Sequence, residues 1–340
     1  MALSVNFRSC LIKVAMLLFL CCLLTFPSAA LSGAKNGLLL WFNQVLPSLL
    51  PFLILSTLFL STGLSDSIAK KLSPVLSPVF HCSPSGCYAV IIGLLAGLPV
   101  GAKTITSLTE SGRITKKEGQ YLLPLCNNPS PLFLLGFVSV SVLNRPDLRY
   151  PILLIVTLSS ILAAMIMRPH PDSAPSSSSS LPMATTPPIL NKKQPSGSAC
   201  SATALPYAPK TTFSFSFLLL DSAIEQAFSV LTRVGGYIIL FSVLANLLTK
   251  LPLPPFILAC MGTFFEITTG SSALAALSLP TGVLLPLITG FVTFAGLSTA
   301  AQTKSVLAGT EFPFAHYLLT KALAGLIAGL LMTLFLQLRG

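Results

Sequence analysis

Glu266 is the residue most at odds with its surroundings. It stands in Thr263-Phe264-Phe265-Glu266-Ile267-Thr268-Thr269-Gly270, an ionisable side chain inside an apolar run. A carboxylate in such a stretch is costly unless it meets a partner or a water-filled cavity. Thr268, Thr269 and Gly270 follow it, small and hydroxylated residues that can end a half-helix and expose backbone groups. Two readings stand for Glu266: a binding carboxylate, or a structural partner of Lys321, the one basic residue within the last apolar stretch. A second polar constellation is Asn127-Asn128-Pro129-Ser130-Pro131, again interrupting an apolar run. Its carboxamides offer donors and acceptors, and its prolines leave backbone carbonyls unpaired. That suits coordination of a polar solute or a cation; a hydrogen-bonded helix kink is the alternative. With Gln302, residues Glu266, Thr268, Asn127 and Asn128 form the set expected to bind substrate.

Other chemistries lack their residues. His81, His170 and His316 are scattered, so neither a nucleophile–base pair nor a metal cluster is expected, and no catalytic residue, metal or cofactor is assigned. None of the eight cysteines forms a CxxC pair, and most lie in or beside apolar runs, where they read as small hydrophobic filler. Gly93, Gly97 and Gly101 share one helix face, a pattern for close helix packing. No GxxxxGK[ST] phosphate loop occurs.

The elements that must position these residues are membrane segments. The chain has 340 residues, 53% of them hydrophobic and 9% charged, against about 25% charged in an average soluble domain. A soluble enzyme, a nucleic-acid binder and a disordered chain are excluded on that ground. The net charge of +11 resides mostly in short loops between apolar stretches, where it sets topology. The expected fold is an all-α, polytopic helical membrane protein of roughly eight membrane segments, with the lipid bilayer as its partner and no nucleic acid. The oligomeric state is left open.

Four regions are expected. Residues 1–31 carry Arg8 and Lys13 before an apolar run and read as an N-terminal transmembrane helix, with a signal-like segment as the alternative. Residues 32–167 form a first repeat and 213–340 a second. Residues 168–212, with the run Ser176–Ser180 and many prolines, read as a disordered cytoplasmic linker. Within the first repeat, Pro47 and Pro51 should kink or break the segment 37–60. Residues 86–102 are short and interrupted by Gly97, Pro99 and Gly101. A full crossing there would put the basic loop 103–120 opposite Lys70 and Lys71, against the positive-inside rule; a re-entrant or broken element keeps both cytoplasmic. In the second repeat, Leu220–Val234 reads as an interfacial amphipathic helix before a span at 235–249. The segment around Glu266 should enter from the outer face. Breaks or hinges are expected at Pro47, Pro51, Gly97, Pro99, Gly101, Pro129, Gly270 and Gly296.

The halves share weak similarity. Gly97–Thr104 aligns with Gly296–Thr303, Tyr121-Leu122-Leu123 with Tyr317-Leu318-Leu319, and Leu53–Leu58 with Ile239–Leu244. With opposite orientations, this predicts two inverted repeats around broken helices, the architecture of secondary transporters.

Taken in order, LPSLLPFLILSTL, GLLAGLPVGAK, NNPSPLFLLG, GGYIILFSVL, FFEITTG and GFVTFAGLSTAAQ resemble the YlbJ family of sporulation integral membrane proteins. The resemblance implies Gate, or nucleoside-recognition, repeats. Such domains also occur in spore maturation proteins, in the membrane part of FeoB-type iron transporters and in relatives of concentrative nucleoside transporters. It implies a bacterial inner-membrane location and a part in endospore formation, but names no substrate. Without a GTPase portion, an iron transporter of the FeoB type is not implied. The expected function is transporter-like, for a small polar solute that is nucleoside-like or ionic; the alternative is a non-transporting structural or assembly protein of the spore membranes.

Overall fold

The computed structural model describes residues 2–61, 64–168, 217–307, 310 and 312–339. The expected linker lies outside the described residues except for Arg168. Among the described residues every regular element is helical. The first half contains α1 (Ala2–Thr25), α2 (Pro27–Leu40), α3 (Leu46–Ser61), α4 (Leu64–Phe80), α5 (Pro84–Ala96), α6 (Val100–Glu110), α7 (Lys116–Cys126) and α8 (Arg149–Ile166). A π-helical segment, Phe133–Val142, stands between α7 and α8. The second half contains α9 (Phe217–Leu248), α10 (Pro255–Phe265), α11 (Ile267–Ala275), α12 (Thr281–Phe294), α13 (Gly296–Val306) and α14 (Phe314–Arg339).

Four stretches are long and apolar enough to cross a membrane: Pro146–Ile166, Phe217–Leu248, Thr281–Val306 and Phe314–Arg339. Two sharply bent helix pairs raise the count to six, below the roughly eight expected, because several apolar segments fold into short half-helices. The large hydrophobics exposed on α1, α8 and α14, such as Leu24, Leu154 and Leu330, are the surface a bilayer would cover.

Contacts at the helix ends divide the molecule into two faces. On the linker face, Arg168 donates to the His81 carbonyl at 3.2 Å and lies over the Tyr121 ring. There Glu118, in the first turn of α7, accepts from the Ser83 amide at 2.6 Å, just ahead of α5. A Cβ on Gly119 would meet Thr109 near the end of α6 at 2.7 Å. The start of α5 and the end of α6 therefore share one face, so α5 and α6 form a hairpin. Gly93 and Gly101 make this possible: a Cβ on either would collide with the carbonyl of Cys126. On the far face, Arg339 at the end of α14 pairs with Asp147 ahead of α8 at 3.3 Å.

A second hairpin is α10–α11. Its arms have 11 and 9 residues, about 16 and 14 Å long, too short for a hydrocarbon core of about 30 Å. A Cβ on Gly270 would strike the backbone of Thr263. In a straight helix, positions seven apart lie about 10 Å from each other, so the chain has doubled back. α12 packs antiparallel to α14, with Gly290 against Gly325 and Pro286 against Gly329. α12 therefore starts on the far face, and so does the hairpin that precedes it.

Directions reverse between the halves. α2 and α3 run toward the linker face and α9 away from it, in antiparallel contact through Gly33 with Asn246 and Gly37 with Ser242. The α5–α6 hairpin enters from the linker face and α10–α11 from the far face. The broken span α7 to Val142 runs toward the far face, α12–α13 toward the linker face; α8 runs toward the linker face, α14 toward the far face. This order pairs hairpin with hairpin and broken span with broken span. The sequence similarity had instead aligned the tip of the first hairpin, Gly97, with the break in α12–α13, Gly296. Both glycines have positive φ, 68° and 74°, so the similarity follows a shared local conformation rather than equivalent elements.

Two further expectations change. Leu220–Val234 is not a separate interfacial helix: α9 is continuous over 32 residues, because nothing between its amphipathic start and its apolar end breaks the backbone. The segment around Pro47 and Pro51 does not break either. Helix runs from Pro27 to Ser61, with a π-helical segment, Trp41–Val45, just ahead of Pro47. Such a segment absorbs the register change that a missing proline donor forces.

Candidate functional site

Each hairpin tip packs on the broken span of its own half. At the first tip, Gly97–Pro99 separates α5 from α6, and the Leu98 amide donates to the Asn128 carbonyl at 2.9 Å. A Cβ on Gly97 would lie 2.7 Å from the Ser130 Cα, and φ of +68° disfavours any other residue. At the second, Glu266 separates α10 from α11, and Gly296 in the neighbouring break packs on the Phe264 carbonyl and Ile267. Gly97, Pro99, Pro129 and Gly296 thus stand at breaks. Gly101 and Gly270 lie inside α6 and α11 and serve close approach rather than hinging.

The Asn127–Asn128 break holds the larger polar cluster. Asn127 is fully buried. Its Nδ2 donates to Thr303 Oγ1 at 2.8 Å and to the Tyr317 hydroxyl at 2.9 Å, reaching α13 and α14 of the other half. The Thr303 hydroxyl donates to the Thr299 carbonyl at 2.9 Å, so it can only accept from the amide, which fixes the orientation of Asn127. Both Nδ2 hydrogens are then spent, while Oδ1 is buried without a partner. Asn128 Oδ1 accepts from Lys321 Nζ at 2.7 Å and Ser160 Oγ at 2.9 Å, and its Nδ2 donates to the Leu125 carbonyl at 2.7 Å. Lys321 is 1% exposed and bonds to no carboxylate among the described residues.

Glu266 sits in a second cluster. It ends α10 in extended backbone and caps α11. Its Oε2 accepts from the Thr269 amide at 2.7 Å, from Thr269 Oγ1 at 2.9 Å and from Thr268 Oγ1. Ser242 of α9 donates to Thr269 Oγ1 at 3.2 Å. The carboxylate therefore satisfies donors left open at a helix N-terminus. It does not pair with Lys321. Ser271 in α11 and Ser298 in α13 bury hydroxyls without partners.

The structure thus places Asn127 and Asn128 together, and Glu266 with Thr268, in two clusters that no hydrogen bond among the described residues joins. Gln302 is partly exposed and belongs to neither; its neighbour Thr303 takes the position in the cluster. Sequence reasoning missed Ser160, Thr303 and Tyr317, and weighed Lys321 only as a partner of Glu266. The available signal was a lysine with two hydroxyl-bearing residues at helical spacing in the last span, Tyr317 and Thr320.

Residues 42–169 match the Gate family, described as Nucleoside recognition. That range is the first half from the π-helical segment to the end of α8. Over 332 residues the chain is 26% identical to the Sporulation integral membrane protein YlbJ of Bacillus subtilis strain 168, covering 92% of this chain and 78% of the relative. The chain is thus similar to Gate proteins over much of its first half and to YlbJ over most of its length. Multi-pass membrane insertion, read from composition, agrees with the likeness to an integral membrane protein and with the apolar helices. The Gate match encloses the first hairpin and the Asn127–Asn128 break, and the YlbJ likeness extends across both halves. No solved structure matches.

Proposed function

We propose that this chain acts in the membranes of a spore-forming bacterium as a transporter-like protein for a small polar solute. On this reading its two halves are inverted repeats, and the solute passes between them. The observation that carries it is unspent hydrogen-bonding capacity at the breaks. Among the described residues, Asn127 Oδ1 and the Ser298 hydroxyl are buried without partners, and Lys321 Nζ has a single acceptor although an ammonium has three donors. Buried polar atoms are nearly always satisfied, so an unspent set at paired broken helices suits a ligand. The description of the Gate family supports a nucleoside-like solute; the buried lysine supports an ionic one. The printed name of the relative supports the sporulation role.

The capping role of Glu266 favours the second reading, a membrane assembly protein without transport, since that carboxylate is spent on α11. Purified protein in vesicles, offered nucleosides, metal ions and dipicolinate, separates the two. Uptake above protein-free vesicles for one solute supports transport. Folded protein that moves none of them supports the assembly role.

A further inference from the structure

The elbow between α4 and α5 turns the chain by 92° and brings together two cysteines that the sequence keeps five positions apart. Cys82 Sγ and Cys87 Sγ are 3.6 Å from each other. Both are free thiols. Cys87, in the first turn of α5, is fully buried; Cys82, in the elbow, is partly exposed. Gly86 permits the approach, since a Cβ there would lie 2.9 Å from the Cys82 Cβ. Ser77 Oγ is 3.3 Å from Cys87 Sγ and closes the other side of the pair. A disulfide has its sulfurs about 2.05 Å apart, so closure needs about 1.5 Å of sulfur movement, within the reach of side-chain rotation.

We propose that Cys82 and Cys87 form a reversible dithiol–disulfide pair that staples this elbow. The oxidant is a small-molecule disulfide, with glutathione disulfide as the probe. The partly exposed Cys82, as its thiolate, attacks one sulfur of the probe, forms a mixed disulfide and displaces one glutathione thiolate. Cys87 then attacks Cys82 Sγ as a thiolate and displaces the second. Two cysteine thiols are oxidised, one disulfide is reduced to two thiols, and the two cysteine protons pass to the leaving thiolates. The staple would fix the start of the first hairpin where Ser83 is held by Glu118 and where Arg168 joins His81.

The test uses the full-length protein in nanodiscs, incubated with glutathione disulfide, alkylated after denaturation and mapped by peptide mass spectrometry. The expected product is a Cys82–Cys87 crosslinked peptide, two hydrogens lighter than the reduced pair and restored by dithiothreitol. Cys87→Ser should stop at a stable glutathione adduct on Cys82, and Cys82→Ser should leave Cys87 unmodified. Elution as a monodisperse species checks first that both variants fold. Wild-type protein that ends at the Cys82 adduct, links Cys82 to Cys126, or remains fully reduced would overturn the proposal.

Discussion

Removing Asn128 should damage the fold far more than removing the lysine it holds. In Asn128→Leu, Lys321 Nζ loses its acceptor Asn128 Oδ1, at 2.7 Å, while staying 1% exposed. Losing a buried hydrogen bond to a charged group costs about 1.5–3 kcal/mol. The lost amide bond to the Leu125 carbonyl adds about 1 kcal/mol. Lys321→Met removes the charge and fills similar volume, and Asn128 Oδ1 keeps Ser160 as a donor at 2.9 Å. Replacing a buried ion by an apolar isostere is often neutral or stabilising, so this variant should lie within about 1 kcal/mol of wild type. The double variant should recover most of the loss, a coupling of about 2–3 kcal/mol. Reversible unfolding in mixed SDS–detergent micelles, followed by far-ultraviolet circular dichroism, measures all four proteins. Equal loss in both single variants, or a double variant that is merely additive, would refute the reasoning.

Four further outcomes follow from the geometry. Glu266→Ala should cost about 0.5–2 kcal/mol, because it uncaps α11. Glu266→Gln, which keeps one acceptor oxygen, should cost less. Glu266→Gln and Lys321→Met should be additive within about 0.5 kcal/mol, since the residues do not pair; rescue in the double variant would restore the ion-pair reading. Gly97→Ala should cost more than about 1–2 kcal/mol, because it places a side chain at φ +68° against the Ser130 backbone, whereas Gly136→Ala, with nothing within 4 Å, should be nearly silent in the same unfolding assay. In intact cells, single cysteines at positions 116 and 192 should both resist an impermeant thiol reagent while one at position 145 reacts; labelling of 116 but not 192 would contradict the re-entrant hairpin.

What could be read in advance was the set of local breaks. Gly97-Leu98-Pro99, Asn127-Asn128-Pro129 and Glu266 announce themselves because proline lacks a donor, glycine admits positive φ, and an ion in an apolar run demands a partner. Their tertiary use was harder to read. Gly270 and Gly101 resemble hinges in sequence, yet both are contact points, since close approach and flexibility call for the same residue. Thr303 rather than Gln302 enters the cluster because helical phase, set by packing, decides which neighbour faces inward. The continuous α9 and the π-helical segment ahead of Pro47 show that a polar turn or a proline does not end a helix whose flanks remain packed. Cys82 and Cys87 carry no recognisable spacing, and only the elbow makes them neighbours.

The central claim is that the breaks in the two halves line a path open in turn to each face. Ser298, buried with an unpartnered hydroxyl beside the α12–α13 break, reports on it directly. Ser298→Cys is placed in a chain that keeps only the fully buried Cys87 and Cys126, and is reconstituted in vesicles with known orientation. A small impermeant thiol reagent applied to either side should label position 298, and a transported solute should slow both reactions. Labelling from one side alone, or from neither in folded protein, would contradict the account.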